Sequence, residues 1–333
     1  MTFDVHAHCI PPGLIDTLRR DGDRYDIEIV DDESGPSALI AGRVKAGPLR
    51  ADLQDVEARL ATMERTGVGT QLVSSWIDLT AYALSAAAGS RYARMFNESL
   101  AHLVAHHPDR LEGLCTVPLQ APQAAASELR HAVTELGMVG VEIATTVDGV
   151  ELDAAELDPF WGAAEELRCL VLLHPLASLS GRELGRYFLG NIVGNPAETT
   201  IALAHLVFGG VLERFPELRV CAVHGGGFAP YQAGRWHRGF EAVSGQTAGN
   251  LTHSPREWLR GLYFDTVLHS PPALAFLIDL MGADHVVLGS DYPFEMGDPD
   301  PVATVESVPG LGPEQRDLIL EGNVRRLLGE VRR

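Results

Sequence analysis

The sequence predicts a (β/α)8 TIM barrel with an insertion after its first strand, and three observations predict it. Eight short apolar runs alternate with longer amphipathic stretches. The runs are continuously apolar, which suits strands buried on both faces of a parallel sheet. Polar residues collect where these strands end, and in a barrel those ends share one rim. A doubly wound open sheet is the alternative, but the regular eightfold repeat favours closure. With 333 residues, the chain reads as one domain spanning 1–333.

The strands are expected at residues 3–6, 70–75, 111–117, 138–144, 169–174, 219–224, 262–266 and 285–290. The helices are expected at 53–65, 91–106, 121–136, 159–167, 197–215, 230–243, 272–281 and 313–328. Asp52 reads as the N-cap of the first helix, with Asp55 in its acidic first turn and Gly67 as its stop. Asn195-Pro196 starts another helix, with proline at N1 and Glu198 in the first turn. Residues 9–49 break the rhythm. They hold Tyr25-Asp-Ile-Glu-Ile-Val30 and Ala38-Leu-Ile40, a hairpin across a turn at 31–36. An insertion after a barrel strand lies at the C-terminal mouth, so this one reads as a lid, a small subdomain or an oligomer contact.

Hydrophobic residues make up 46% and charged residues 21% of the chain, an ordinary globular balance. A net charge of -19 argues against nucleic acid or an anionic membrane as partner. It leaves room for a small anionic substrate held by a few arginines inside a pocket. Cys9, Cys115, Cys169 and Cys221 are scattered with no Cys-x-x-Cys pair, and read as reduced thiols of a cytoplasmic protein. Neither a secretory leader nor an apolar run of membrane-spanning length is present.

The chemistry starts at His6 and His8, which lie at i and i+2 of the first strand and so share a face. Two imidazoles so held form half of a metal site. The fifth strand ends in His174, the sixth in His224 and the last in Asp291. Three imidazoles and a carboxylate that leave a place for water are what a catalytic zinc site requires. His6, His8, His174 and Asp291 are therefore read as metal ligands. His224 is read as an acid–base group, with a plain turn residue before three glycines as the alternative. For Asp291 the structural alternative is a helix N-cap. Lys45, the only lysine, lies in the insertion, so a carbamylated lysine bridging two metals is excluded. Glu142 in the fourth strand is the one alternative bridge.

These residues resemble the amidohydrolase superfamily, and more narrowly its 2-amino-3-carboxymuconate 6-semialdehyde decarboxylase group. The similarity runs from about Arg50 to Leu328 and is most specific in Asn195-Pro-Ala-Glu-Thr-Thr-Ile201, Gly209-Gly-Val-Leu-Glu-Arg-Phe-Pro216, His224-Gly-Gly-Gly227, Gly234-Arg-Trp-His-Arg-Gly-Phe240 and Gly289-Ser-Asp-Tyr-Pro-Phe294. The resemblance implies one zinc on His6, His8, His174 and Asp291, with manganese, iron or cobalt as alternatives. It implies His224 and Asp291 as catalytic residues, and substrate binding by Arg50, Arg235 and Phe294. It also implies a homodimer in which Arg235 reaches the neighbouring subunit's site. Leu176 and Asn191 stand where the group usually has aromatics, and Glu142 where it commonly has glutamine. The chemistry thus transfers better than the substrate. A non-oxidative decarboxylase of a small unsaturated or aromatic carboxylic acid is expected. A hydrolase or hydratase on the same scaffold is the first rival, and a non-catalytic metal-binding protein the second.

Overall fold

A computed structural model describes residues 2–176, 183–247 and 249–331. Eight parallel strands form the expected barrel: β1 (Phe3–Cys9), β2 (Thr70–Ser75), β3 (Leu111–Cys115), β4 (Gly140–Ala144), β5 (Leu170–His174), β6 (Arg219–Ala222), β7 (Tyr263–Asp265) and β8 (Val286–Val287). They follow one another around the sheet in chain order. The last strand meets the first through Val5 N–H to Leu288 O at 2.9 Å, His8 N–H to Tyr292 O at 2.8 Å and Asp291 N–H to His6 O at 2.8 Å. These bonds bring Asp291 beside the two histidines of β1.

The interior and the outside of the barrel are separate apolar clusters. Val5, Leu72, Leu114, Leu172, Cys221 and Val287 fill the inside. Val324, Leu327 and Leu328 of the last helix join that cluster beside Phe3. The outer cluster is larger and includes the fully buried Tyr92, Phe96, Phe160 and Trp161.

One irregularity in β1 decides where the histidines point. Asp4 pairs with Gln71 and Ala7 with Val73, so β1 carries one residue more than β2 between those pairs. Such a bulge shifts the alternation of faces. Phe3 and Val5 belong to the interior cluster, and after the bulge His6 and His8 take over the inward face. The strand continues through Cys9, past the expected end at residue 6.

Several boundaries differ from expectation for local reasons. The N-cap of Val56–Thr66 is Asp55, whose side chain accepts from Ala58 N–H, whereas Asp52 lies in a preceding 3₁₀ turn. Gly67 does end that helix, with φ +71°. The helix expected at 91–106 starts earlier, at Ala86, because the Ser85 side chain caps it by accepting from Ala88 N–H. The single helix expected over 197–215 is two, Asn195–Phe208 and Val211–Arg214, broken at Gly209-Gly210, where Gly210 adopts φ +73°. The last helix widens into one π turn at Leu318–Gly322 but runs on without a break from residue 313 to 331.

The insertion contains a helix the sequence reading missed, Leu14–Tyr25. Three antiparallel strands follow, Ile27–Asp32, Gly35–Ile40 and Val44–Ala46, and the first two form the expected hairpin, with Asp31 opposite Pro36. Leu14, Leu18, Ile27, Ala38, Ile40 and Ala46 join the outer apolar cluster, so the insertion shares the barrel's core. All four cysteines are buried and free. Among the described residues, no helix is long and apolar enough to cross a membrane.

Candidate metal centre and active site

His6, His8, His174 and Asp291 are buried together, each offering a ligand atom within 4.8 Å of the others. His6 and His8 come from the bulged β1, His174 from the end of β5, and Asp291 from just beyond β8. Leu170, Leu172 and His174 occupy alternate positions of β5, so the face that packs the interior also delivers the imidazole.

What each ring nitrogen can do follows from its partner. His6 Nδ1 donates to Asp265 Oδ2 at 2.7 Å, His8 Nδ1 to Ser75 O at 2.9 Å and His174 Nδ1 to Pro175 O at 2.8 Å. A backbone carbonyl only accepts, so the Nδ1 facing it carries hydrogen, and the Asp265 carboxylate imposes the same tautomer on His6. In the neutral form of each ring, Nε2 is left with a lone pair. The Nε2 atoms of His6 and His8 are 3.2 Å apart and lie 3.4 and 3.2 Å from Asp291 Oδ1. Asp291 Oδ1 is itself buried without a hydrogen-bond donor. Three lone pairs and an unpartnered carboxylate oxygen converging on one point suit a divalent transition metal.

The charges agree. Burial and then the neighbouring His8 and His6 hold His174 well below its ordinary value, so it is a neutral, ligating imidazole. Burial works against the charge on Asp291, but the surrounding histidines outweigh it and keep the carboxyl ionised. Burial also opposes charge on His8, yet Glu142 and Asp291 lift that ring to about 9. Glu142 is pushed up to about 7 by burial, and its Oε1 lies 3.5 Å from His8 Nδ1. It stands behind His8, outside the four-residue group.

His224 borders this centre, with Nε2 3.4 Å from Asp291 Oδ2 and a buried, unpartnered Nδ1. Burial disfavours its charge, but Asp291 outweighs that and raises it above the ordinary histidine value. His224 and Asp291 both adopt left-handed backbone, φ +53° and +59°. Two such residues at one site fit the tendency of backbone strain to collect where function needs it. The glycines after His224 serve the protein's own packing. A Cβ on Gly225, Gly226 or Gly227 would strike Leu268, Phe264 or the Pro196 carbonyl.

Two adjoining cavities open above the centre. One of about 460 Å³ is lined by Trp76, Asp78, His174, Leu176, Asn191 and Phe294 among others, and one of about 240 Å³ by Ile192, Asn195, Phe228 and Leu268 among others. Both reach His224 and Asp291. None of residues 9–49 lines either cavity. Phe294 packs against His8 and Trp76, with ring centroids 5.4 and 6.1 Å away. Arg50 stacks over Phe294 at 5.6 Å, while its guanidinium bonds Asp52 and Glu295. Arg235 lies exposed on the helix Ala229–Ala242 and, among the described residues, has no hydrogen bond or ion pair.

Sequence reasoning missed the groups that hold this centre in place. Asp265 orients His6 and also accepts from Gly225 N–H at 2.9 Å. An acid at the end of the apolar run before Thr266 was the available signal. Asp4, Gln71, Arg59 and Ser290 form a second buried network: Gln71 Nε2 donates to Asp4 at 2.8 Å, Ser290 Oγ to Asp4 at 2.5 Å, Arg59 to Gln71 at 2.7 Å and Arg59 to His8 O at 2.5 Å. This network ties β1 to β2 and to the segment that carries Asp291.

The sequence profile of the Amidohydrolase family matches residues 3–329, and the chain belongs to that family. The 2-amino-3-carboxymuconate-6-semialdehyde decarboxylase of Dictyostelium discoideum is 30% identical over 329 residues, covering 99% of this chain and 92% of that protein. Among solved structures, 5-carboxyvanillate decarboxylase from Sphingomonas paucimobilis is similar with a TM-score of 0.84 at 25% identity, over 98% of each chain. The 5-carboxyvanillate decarboxylase of Novosphingobium aromaticivorans, 21% identical with a TM-score of 0.80 over 99% of this chain and 96% of its own, was solved with manganese and 4-hydroxy-3-methoxy-5-nitrobenzoic acid.

Proposed function

We propose that this member of the Amidohydrolase family is a metal-dependent, non-oxidative decarboxylase of a small unsaturated or aromatic carboxylic acid. The observation that carries the proposal is the juxtaposition of a complete ligand set with His224 at one cavity, which His174, Asp291 and His224 line. The relatives' decarboxylase activities agree with it.

His6, His8, His174 and Asp291 would hold the metal. Zinc is our reading, since three imidazoles and one carboxylate suit it, and the same donors accept manganese, iron or cobalt. A bound divalent ion supplies Lewis acidity, polarising a coordinated oxygen and stabilising charge as it develops. The protein's own residues do the rest. Loss of CO₂ breaks a carbon–carbon bond and leaves the electron pair on the substrate carbon, which must gain a proton. His224, held above its ordinary value beside Asp291, is the donor. Phe294 and Trp76 give a flat wall beside His8 for a conjugated substrate.

Arg50 and Arg235 are the proposed carboxylate receptors. Arg50 keeps Asp52 on two of its nitrogens, and a substrate carboxylate would take the place of Glu295, whose side chain is 78% exposed. Arg235 and the exposed Tyr231 lie at i and i+4 on one helix face, which suits a homodimer in which Arg235 enters the partner's site. Four buried free thiols fit a cytoplasmic location. Product analysis tests the reaction: CO₂ release with no net gain of water supports decarboxylation, and incorporation of water with no CO₂ contradicts it.

A further inference from the structure

The larger cavity carries an acidic group that neither the metal centre nor the proton transfer uses. Asp78 lies in the turn Ile77–Leu79 just after β2, on the wall that also holds Trp76. Burial pushes its carboxyl up to about 6, and the hydrogen bond it accepts comes from its own N–H. Among the described residues no other donor or cation bonds it. Of the other acids lining the cavity, Asp291 is held by the histidines, and Glu295, on Arg50 in the free protein, is largely exposed and returns to water when displaced. Among the described residues the lining contains no lysine or arginine, and Arg50 adjoins it through Glu295. A half-buried carboxylate that faces a substrate cavity with no protein donor is an open acceptor, and a substrate hydroxyl or amine that displaces water there must replace its hydrogen bond.

We propose that Asp78 is a specificity-determining residue, whose carboxylate accepts a hydrogen bond from a hydroxyl or amino substituent of the substrate. The cavity then selects flat carboxylic acids that carry such a donor away from the reacting carboxyl group. This rests on the cavity being the substrate site. Specificity of this kind is strong because an analogue without the donor leaves the protein's polar group unpaired. Trp76 and Phe294 set the plane of the bound ring, and Asp78 distinguishes what the ring bears.

The test measures binding, so its outcome is separable from that of the decarboxylase reading. Metal-loaded parent protein, Asp78→Asn and Asp78→Ala would be titrated calorimetrically with 3- and 4-hydroxybenzoate, their methoxy counterparts and benzoate. The parent should bind at least one hydroxy compound about tenfold or more tightly than its methoxy counterpart and benzoate, as expected for a hydrogen bond to a charged acceptor. Asp78→Ala should erase that preference while metal content and benzoate affinity stay within about twofold. Should Asp78→Ala fail to fold, the isosteric Asp78→Asn carries the comparison, with a weakened preference expected. A parent with no preference for the hydroxy compounds, or a preference that survives in the variants, overturns the proposal. Absence of CO₂ release with the binding preference intact would refute the decarboxylase reading alone.

Discussion

Replacing Asp265 with asparagine changes one atom opposite His6, and the structure gives the consequence. Oδ1 of Asp265 accepts from Gly225 N–H at 2.9 Å and Val267 N–H at 3.2 Å, and an asparagine oxygen can keep both bonds. The new amide nitrogen then sits where Oδ2 was, 2.7 Å from His6 Nδ1, so a donor faces a donor. His6 escapes by carrying its hydrogen on Nε2, which removes one lone pair from the metal centre. Outer partners of metal-binding histidines are worth about 10–100-fold in metal affinity, or roughly 1.4–2.8 kcal/mol. His6 and Asp265 are both fully buried, out of reach of bulk solvent, which places the expected loss near the upper end. Competition with a zinc indicator near neutral pH reads it directly, and circular dichroism checks that the variant is folded. A folded Asp265→Asn protein with the parent's metal affinity would refute the reasoning.

Three further outcomes follow, two from the geometry of the centre and one from the proposed dimer. Metal binding should weaken as pH falls, because the folded His8 ring, lifted to about 9, holds a proton below that value and the metal must displace it. Calorimetry in buffers of different ionisation enthalpy would detect the released protons, and a pH-independent affinity would contradict the assignment. His224→Asn should lower kcat by about 10²–10⁴-fold with metal content unchanged. In the proposed dimer, mixing His224→Asn with Arg235→Ala should restore about a quarter of the parental activity, since half of each mixed pair regains an intact site; no recovery in verified mixed dimers would contradict sharing of the site.

Much of the fold was legible because each barrel strand is a local apolar run with its polar residue at one end. His6, His8, His174 and Asp291 stand out in the sequence for that reason, and the structure brings all four together. The inward turn of β1 was not legible. It depends on a bulge defined only by pairing with β2. Asp265 and the Asp4–Ser290 pair were missed because their partners lie 259 and 286 residues away along the chain. The break of the helix at Gly209-Gly210 was written in the sequence, but the apolar pattern continues across it and hid the stop. The helix Leu14–Tyr25 was obscured in another way. Half of its residues are charged, and it buries only Leu14, Ile15, Leu18 and Tyr25.

The most direct test of the central claim is metal content measured together with turnover, in the parent protein and in His174→Ala. The account predicts about one divalent metal ion per parent chain and CO₂ release from an unsaturated or aromatic carboxylic acid, with both lost in the variant. A parent protein that binds no metal tightly, or a His174→Ala protein that keeps both metal and activity, would contradict it.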